Sequence, residues 1–349
     1  MSNNNVIVIG AGPAGLAAAG KLTDFGFDVV LIEKQAQVGG HLNKWFKVFP
    51  DFTDASEITA NLKAGLGSTK ILTDTTVTEI KGSAPDFWVT TSHGDTINAQ
   101  AILVSTGYKH FDASLKEEYG YDIYDNAITS VELDAMLKAG KVVTRQGKAP
   151  KKVAMIHCVG SRDEKVNNNY CSRVCCTNAI KVAIEVKEQN PDCQIYCLYM
   201  DIRVFGRGYE ELYRTSQESH GIQFLRGRLS EASEKPDRSL LLRLEDTLTA
   251  KPMRLSVDLM VLMVGMEGNP DLLDVAGLQL GCDRFFATAH QQYSNNHSHR
   301  QGIFLAGAAT GPKAIMESIT DGRSAAAEIA GFMMQQRAIS LNGQIPSLV

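Results

Sequence analysis

The chain has 349 residues, of which 44% are hydrophobic, so it is long enough to form two domains with substantial cores. Its 35 basic and 39 acidic side chains give a formal charge of −4, which offers no electrostatic attraction to nucleic acid or to an anionic membrane. The N-terminus is polar and the most apolar stretch, residues 259–266, is too short to span a bilayer, so we expect a soluble cytoplasmic protein without direct membrane insertion.

The chain opens with the pattern of a β-α-β unit around a glycine motif. Residues 6–9 predict a buried strand, residues 13–23 a helix and residues 28–32 a second strand. Between the first strand and the helix lies the motif Gly10-Ala-Gly12-Pro13-Ala14-Gly15. In a dinucleotide-binding loop the first glycine permits the tight turn, the second lets the backbone approach the pyrophosphate, and the third lets helix and strand pack closely.

Glu33 follows the second strand, at the position where dinucleotide-binding domains carry a carboxylate that binds a ribose. A solvated surface carboxylate is the alternative. The chain continues with a predicted helix at residues 54–67 and predicted strands at 75–80, 87–91 and 97–104. Near the C-terminus a strand at 302–307 and a helix at 313–333 repeat the same theme.

A second α/β pattern follows an irregular bridge. Residues 111–149 form this bridge, whose basic end predicts either a solvated connector or a docking surface for an acidic partner. The predicted strands that follow are 153–156, 194–199, 222–226, 239–244 and 258–264, and the predicted helices are 177–188 and 209–220. Alternation of strands and helices predicts a second, mostly parallel sheet.

Four of the seven cysteines lie close together in the sequence: Cys158, Cys171, Cys175 and Cys176. Such clustering in a cytosolic protein indicates metal binding or redox chemistry. An iron–sulfur cluster needs about four thiolates, a structural zinc site favours paired knuckles, and a dithiol catalyst uses C-x-x-C, which is absent here. Adjacent Cys175 and Cys176 are awkward for any metal, and reduced structural thiols remain an alternative.

The second α/β pattern lacks the glycine motif that an NAD(P)H-binding domain would have. The predicted strand 153–156 runs directly into His157-Cys158-Val-Gly-Ser-Arg162. We therefore expect no NAD(P)H site, with the cysteines occupying its position.

Three sequence patterns resemble the FAD signatures of flavoproteins with two dinucleotide-binding domains. They are Glu33-Lys34 followed by Gly39-Gly40, the run Ser105-Thr106-Gly107, and the run from Gly302 to Ala308. This resemblance implies bound FAD, with cofactor contacts from Gly10, Gly12, Pro13, Ala14, Gly15, Glu33, Lys34, Gly39, Gly40, His41, Val77, Thr106, Gly107, Gly307, Ala308, Lys313 and Ala314.

Two features near the third of these patterns, the run from Gly302 to Ala308 (the late signature), bear on how FAD would be held. The family usually has Asp where this chain has Ala308, so a contact to the ribityl chain must be lost or replaced. Lys313 lies in the first turn of the last helix, where it could stabilise a reduced flavin or simply face solvent.

The cysteine region resembles the A subunits of heterodisulfide reductases and their relatives. The resemblance rests on residues 157–162, 170–176 and 203–210, and it extends over nearly the whole chain. It implies a [4Fe-4S] cluster on Cys158, Cys171, Cys175 and Cys176, a homodimer, and partner subunits of the B and C types. The extra ferredoxin-like segments of methanogen A subunits are missing, so the chain resembles the short form found in complexes of sulfur oxidisers.

We therefore predict an α/β protein with two Rossmann-like domains, as in the thioredoxin reductase and glutathione reductase superfamily. Residues 1–110 with 284–349 form the FAD-binding domain, 111–149 a connecting segment, and 150–283 a second α/β domain with the cluster. The predicted function is electron transfer between FAD and cluster within a heterodisulfide-reductase-like complex of cytoplasmic sulfur oxidation.

Three other functions remain open. The chain could be the flavoprotein subunit of a quinone-interacting oxidoreductase in sulfate reduction, or an NAD(P)H-dependent flavoprotein disulfide reductase. It could also be a structural subunit, without enzymatic activity, that binds FAD and zinc.

Overall fold

The computed structural model describes residues 4–342, with side chains described as far as residue 339. The elements of the first part are β1 (Asn5–Ile9), α1 (Pro13–Asp24), β2 (Asp28–Ile32), α2 (Ala55–Ala64), β3 (Lys70–Leu72), β4 (Val77–Ser83), β5 (Asp86–Thr91), β6 (Thr96–Ala99), β7 (Ala101–Val104) and β8 (Tyr108–His110). The elements that follow are β9 (Ala127–Thr129), α3 (Ser130–Lys138), β10 (Lys152–Val159), α4 (Cys175–Gln189), β11 (Gln194–Tyr199), α5 (Tyr209–Glu218), β12 (Gln223–Arg226), β13 (Leu229–Glu234), β14 (Leu240–Asp246), β15 (Lys251–Val257), β16 (Leu259–Val264), β17 (Met266–Gly268), α6 (Leu273–Ala276), β18 (Ile303–Leu305) and α7 (Ile315–Asn342).

The chain divides into two compact units, each made of separate segments. The first unit contains residues 4–43, 56–109 and 267–342, and the second contains Lys44–Ala55 and His110–Met266. Residues 111–149, predicted as a connecting segment, thus belong to the second unit, and residues 267–283 belong to the first. Residues 1–3 and 343–349, which the sequence assigns to the FAD-binding domain, lie outside the described residues.

The first unit is built on a parallel five-stranded sheet in the order β18-β7-β1-β2-β3. Both faces of its central strand are buried: Val6 and Val8 pack with α1 and α7, whereas Ile7 and Ile9 join a core on the opposite face. Helices α1 and α7 approach closely, because a Cβ on Gly322 would lie only 2.2 Å from Ala14 O. Strands β4, β5 and β6 add a small antiparallel sheet.

The second unit repeats the theme with a parallel sheet in the order β12-β11-β10-β16-β9. Along β10, Val153 and Met155 face a core shared with α3, α4 and α5, and Ala154 and Ile156 face a second core. The connection β10-α4-β11 is therefore the counterpart of β1-α1-β2 in the first unit.

One group of strands in the second unit differs from the sequence prediction. The predicted strand 239–244 corresponds to β14, which begins at Leu240 and belongs to an antiparallel sheet in the order β13-β14-β15 rather than to the parallel sheet. Strands β13 and β15 were not predicted, because each is buried on one face only and is rich in polar residues.

No helix among residues 4–342 combines the length and the apolar character that crossing a bilayer requires.

Helices α3 and α4 enclose a buried group of three charges. Lys181 Nζ lies 2.9 Å from Asp134 Oδ1 and 3.1 Å from Glu185 Oε2, and none of the three side chains is more than 2% exposed. Burial, together with the nearby Asp134 carboxylate, raises the pKa of Glu185 to about 7, although Lys181 acts in the opposite direction. One ammonium thus lies beside two buried carboxylates, and burial favours the protonated form of Glu185.

Replacement of Glu185 by Gln should change how stability depends on pH. The folded-state pKa of Glu185 lies above its ordinary value of 4.5, so the folded protein binds more protons between pH 4.5 and about 7. The free energy of unfolding should therefore fall as pH rises through this window, by about 3 kcal/mol. Urea unfolding of cofactor-free protein from pH 5 to pH 8 should show that Glu185→Gln loses this decrease.

The exposed Glu188 on the same helix provides the control, since Glu188→Gln should keep the wild-type pH dependence. If Glu185→Gln and wild type lost stability equally with rising pH, Glu185 would not be the group responsible.

Candidate cofactor sites

The loop between β1 and α1 has the backbone geometry of a phosphate-binding turn. Gly10 has a φ of +100°, and a Cβ there would lie 2.6 Å from Ser105 O. A Cβ on Gly15 would lie 1.9 Å from Gly10 O, so the packing of α1 on the strand requires glycine. By contrast, a Cβ on Gly12 would meet nothing within 4 Å. The fold itself therefore requires Gly10 and Gly15, whereas Gly12 leaves open space for a ligand.

Glu33 is buried at the end of β2, where its carboxylate holds the glycine loop. The Ala11 N–H donates to Oε2 at 2.7 Å and the Gln35 N–H donates to Oε1 at 2.9 Å. Gly39 N–H donates in turn to Ala11 O at 2.8 Å, which connects the second glycine pair to the same loop. Each carboxylate oxygen retains a lone pair that can accept a hydrogen bond from a ribose hydroxyl. The loop-fixing role of Glu33 was not anticipated from the sequence.

The Ser-Thr-Gly run after β7 lies against this loop. Ser105 Oγ donates to Gly10 O at 2.9 Å, which fixes the run beside the first glycine. Thr106 Oγ1 is buried and has no hydrogen-bond partner within the part of the chain that the structure describes. Buried hydroxyls are nearly always paired, so Thr106 Oγ1 is an atom that a bound ligand would satisfy.

A carboxylate from outside the late signature, which was not predicted from the sequence, holds the turn at Gly307. Asp321, on α7, accepts a hydrogen bond from Gly307 N–H at 2.8 Å, and Lys313 Nζ lies 3.3 Å from the same oxygen, Oδ2. Lys313 also donates to Thr310 Oγ1 at 2.6 Å and to Gly307 O at 3.0 Å. Lys313 is therefore held within the turn rather than extended into solvent. Asp321 escaped notice because it lies beyond the motif, inside an apparently ordinary helix.

The other predicted contact residues of the first unit lie in several environments. Gly40 has a φ of +55°, and a Cβ there would lie 3.1 Å from Gly12 Cα, so it belongs to the same loop cluster. His41 Nε2 lies 3.0 Å from Tyr108 O.

Lys34 forms an exposed ion pair with Asp271 at 3.2 Å, and Val77 is buried at the start of β4. Pro13 and Ala14 begin α1, Ala308 is buried in the turn, and the Ala314 N–H donates to Glu317 Oε2 at 2.7 Å.

In the second unit, the four clustered cysteines lie around the connection between β10 and α4. Cys158 is near the end of β10, and Cys175 and Cys176 begin α4. These three thiols are buried and Cys171 is half-buried, and none of the four forms a disulfide. Cys175 and Cys176 both interact electrostatically with Cys158 and Cys171, so the four thiols lie near one another.

Burial favours the protonated form of three of these thiols, those of Cys158, Cys175 and Cys176, when nothing positively charged is bound. It raises the pKa of Cys158 and of Cys175, and it raises the pKa of Cys176 to about 11, with smaller contributions from the neighbouring thiols. The Arg162 guanidinium acts in the opposite direction and lowers the pKa of Cys158. Metal binding by these groups would therefore release protons.

The segment that joins the cysteines has an unusual backbone. Four residues other than glycine adopt a left-handed conformation, namely Cys158, Arg162, Asn167 and Arg173, with φ between +54° and +61°. Such conformations cost on the order of 1 kcal/mol each and persist only where the surrounding structure fixes them. This segment is therefore held in place by other contacts.

A buried ion pair supplies one of those contacts. Lys116 Nζ lies 2.8 Å from Asp163 Oδ2, and the two side chains are only 2% and 3% exposed. Arg228 Nη2 also lies 2.8 Å from the same oxygen, and Lys116 pairs in addition with Glu118 at 2.7 Å. Asp163 also pairs by backbone hydrogen bonds with Asn168, whose side chain donates to Gly160 O at 3.0 Å.

No three His, Cys, Asp or Glu side chains within residues 4–342 are arranged to hold one metal ion. The metal-ligand role of Cys158, Cys171, Cys175 and Cys176 therefore stays a prediction.

The family model that matches this chain describes pyridine nucleotide-disulphide oxidoreductases and covers residues 4–133. Among solved structures, the chain is similar to thioredoxin reductase from T. acidophilum, with 18% identity and a TM-score of 0.68 over 95% of this chain and 99% of that one. Thioredoxin reductase from Lactococcus lactis gives 16% identity and a TM-score of 0.68, with the same two coverages. The predicted fold class is confirmed by these likenesses.

Two curated relatives are A subunits of heterodisulfide reductases. The chain is 42% identical over 249 residues to the A subunit of the H(2)/formate:CoB-CoM heterodisulfide,ferredoxin reductase of Methanococcus maripaludis, which covers 68% of this chain and 38% of that protein. It is 32% identical over 436 aligned positions to one of the iron-sulfur A subunits of the CoB--CoM heterodisulfide reductase of Methanopyrus kandleri, covering 97% of this chain and 65% of that protein. The chain thus spans less than two thirds of the length of these relatives.

Replacement of Lys116 by Met should destabilise the second unit, because Asp163 would remain buried with only the half-exposed Arg228 as an ionic partner. Breaking a buried pair in this way should lower the free energy of unfolding by about 3 kcal/mol. The measurement is urea unfolding of the cofactor-free protein. Lys165→Met is the control, because Lys165 is 79% exposed and lies 3.9 Å from Glu118. Equal stability of both variants would show that the buried pair does not hold the segment.

Proposed function

Because the chain belongs to the family of heterodisulfide reductase A subunits, which are oxidoreductases, we propose that it transfers electrons between FAD in its first unit and a [4Fe-4S] cluster in its second. The observation that carries the proposal is the pair of equivalent strand-to-helix connections. One contains an open glycine loop and the other contains four clustered thiols. When bound, FAD supplies two-electron chemistry and the cluster exchanges single electrons.

The first unit has the features expected of an FAD site. The open space at Gly12 and the start of α1 suit the pyrophosphate, since backbone N–H groups at a helix N-terminus bind phosphate. Glu33 positions this loop and can accept a hydrogen bond from a ribose, and Thr106 Oγ1 lacks a partner among the described residues. Asp321 and Lys313 fix the turn at Gly307. Their contacts support a structural role for them in this turn, where Ala308 stands in place of the aspartate that is usual in the family.

Several contacts in the second unit favour thiolate ligands. The Arg173 N–H donates to Cys171 Sγ at 3.3 Å, and an N–H of Arg203 hydrogen-bonds to Cys176 and lowers the pKa of that thiol. Cys175 and Cys176 stand at the N-terminus of α4, where the helix dipole stabilises negative charge. Each thiolate of a four-iron cluster binds a different iron atom, so the four sulfurs need not converge on one point as ligands of a single ion would.

The connection after β10 supports a cluster rather than NAD(P)H. A nicotinamide domain needs a glycine loop between strand and helix, and here residues 160–174 form a long segment with strained backbone instead. The family model also ends at residue 133, before this connection begins.

The relatives are named as subunits, which supports a multi-subunit setting, and the rest of that setting is proposed from the resemblance of the sequence. We expect the chain to act as a homodimer with B- and C-type subunits, in a cytoplasmic complex of sulfur oxidation.

Chemical analysis after anaerobic purification is the direct test of the proposed cofactors. It should find one FAD per chain, together with the iron and sulfide of one cluster per chain. Zinc without iron and sulfide, or rapid bleaching of the flavin by NADPH, would overturn the proposal.

Replacement of Cys171 by Ala should remove the cluster and leave FAD bound. Cys171 is the half-buried member of the group, so its loss should disturb packing little while removing one ligand. Iron content and visible absorption should fall to background, and the flavin content should match the wild type. The control is Cys282→Ala, at an exposed cysteine of the first unit. Loss of FAD with retention of iron would contradict the assignment of the two sites.

Replacement of Gly12 by Ala should weaken FAD binding without destabilising the fold. The added Cβ would meet no protein atom within 4 Å, so it would occupy only the space proposed for the pyrophosphate. We expect the Kd for FAD to rise at least about tenfold, since the backbone could no longer approach the phosphates. Fluorescence titration of cofactor-free protein measures the Kd. Gly331→Ala is the control. Its added Cβ also meets nothing within 4 Å, but residue 331 lies on α7 and outside the glycine loop, so FAD binding should be unchanged.

A further inference from the structure

The segment that follows β11 covers the clustered thiols from one side. Cys176 Sγ donates to Asp201 O at 3.6 Å, and the N–H of Arg203 hydrogen-bonds to the same thiol. The guanidinium of Arg173 lies 5.3 Å from the centre of the Phe205 ring. Residues 201 and 203 therefore lie directly against Cys176, and Phe205 lies beside the Arg173 side chain.

This segment and its surroundings carry an excess of positive charge. Arg203 and Arg207 are exposed, Arg162 and Arg173 are half-buried, and Arg226 is exposed beside them. Asp201 pairs with two of these side chains, since it lies 2.7 Å from Arg162 Nη2 and 3.5 Å from Arg226 Nη2. The whole chain has a formal charge of −4, so this positive surface is a local exception to its overall charge.

An exposed aromatic ring stands in the middle of this charge. Phe205 is 67% exposed, although a ring of this size is usually buried. The Arg173 guanidinium makes a cation–π contact with the Phe205 ring but leaves most of the ring exposed. Arginine and large aromatic side chains are the types that dominate binding energy at protein interfaces.

We propose that this arginine surface, formed by Arg162, Arg173, Arg203, Phe205, Arg207 and Arg226, docks a redox protein that presents carboxylates around its own electron-transfer centre. The inference rests on the proposed function, because it takes the cluster held by the four cysteines as one end of the electron path. The partner's carboxylates pair with the exposed Arg203 and Arg207, and an apolar group of the partner covers Phe205. One electron passes between the cluster and the partner's centre, so one is oxidised as the other is reduced, and no bond or proton changes.

The geometry fits an electron exit better than a site for a small molecule. The contacts of Cys176 with Asp201 and Arg203 give a short route from sulfur to the surface backbone. Opposite charge guides two proteins into contact and increases the association rate, and salt weakens this effect. A surface of this kind therefore suits transient docking, which repeated electron transfer requires.

The test uses the full chain and a small acidic [2Fe-2S] ferredoxin as the probe, with basic cytochrome c as the probe of opposite charge. In the double variant Arg203→Glu/Arg207→Glu, the Kd for the ferredoxin should rise at least about tenfold at low salt, and its salt dependence should weaken. Phe205→Ala should raise the Kd while leaving the salt dependence intact. Arg203 also lowers the pKa of Cys158, so its replacement affects the thiols as well as the surface. Arg207→Glu is therefore measured alone as well.

The matched control is Lys251→Glu/Arg254→Glu, which places the same charge change at exposed positions on the antiparallel sheet. Its Kd should stay within about twofold of the wild type if only the arginine surface binds. Equal weakening in both double variants, tighter binding of wild type to cytochrome c, or a shift from dimer to monomer in Arg203→Glu/Arg207→Glu would overturn the proposal.

Failure of the docking proposal can be separated from failure of the proposed function. Ferredoxin binding is also measured with Cys171→Ala, which should still dock because the arginine surface remains, while electron transfer should be lost. Wild-type protein that contains iron but binds ferredoxin as weakly as the double variant would refute docking alone. Protein without iron would refute the cluster, whatever its affinity for the ferredoxin.

Discussion

The second unit depends on burying the carboxylate of Asp163 beside Lys116. This pair joins segments that are distant in the sequence, since Lys116 precedes β9 and Asp163 lies between β10 and α4. A charge buried without a partner is costly, so the pair restricts the segment to one position. The strained residues on both sides of it, Cys158 and Arg173, can persist only under such a restriction. The positions of the thiols thus follow from an interaction that none of them makes.

The two units share one arrangement of strand, connection and helix. In each, a buried parallel strand leads to a helix whose N-terminus faces the connection, and this end of a helix stabilises negative charge. In the first unit the connection is a short glycine loop, suited to phosphate. In the second it is a long segment bordered by the clustered cysteines, whose thiolate forms are anionic like a phosphate. The two connections therefore differ in length and residue type, while the strand-helix-strand order around them is the same.

The sequence predicted the features that depend on local patterns. The β-α-β unit at the N-terminus, the roles of Gly10 and Gly15, and the strand and helix on either side of the cysteines all have short-range signals. The pairing of Lys116 with Asp163 and the hold of Asp321 on Gly307 have none, because they depend on which distant segments meet. The antiparallel strands β13 and β15 also escaped, since half-buried polar strands lack a continuous apolar run. The metal-ligand role of the cysteines remains a prediction from resemblance.

The division of the chain among the units affects the order in which a newly made protein can complete its structure. The second unit ends at Met266, whereas the first still needs β18 and α7 from the C-terminal part of the chain. Until those residues leave the ribosome, β7 is an open sheet edge and the apolar residues of α1 that pack on Ala326 and Ile329 lack their cover. The unit that contains β1 is therefore the last to close, and until then it exposes a sheet edge of the kind that favours aggregation.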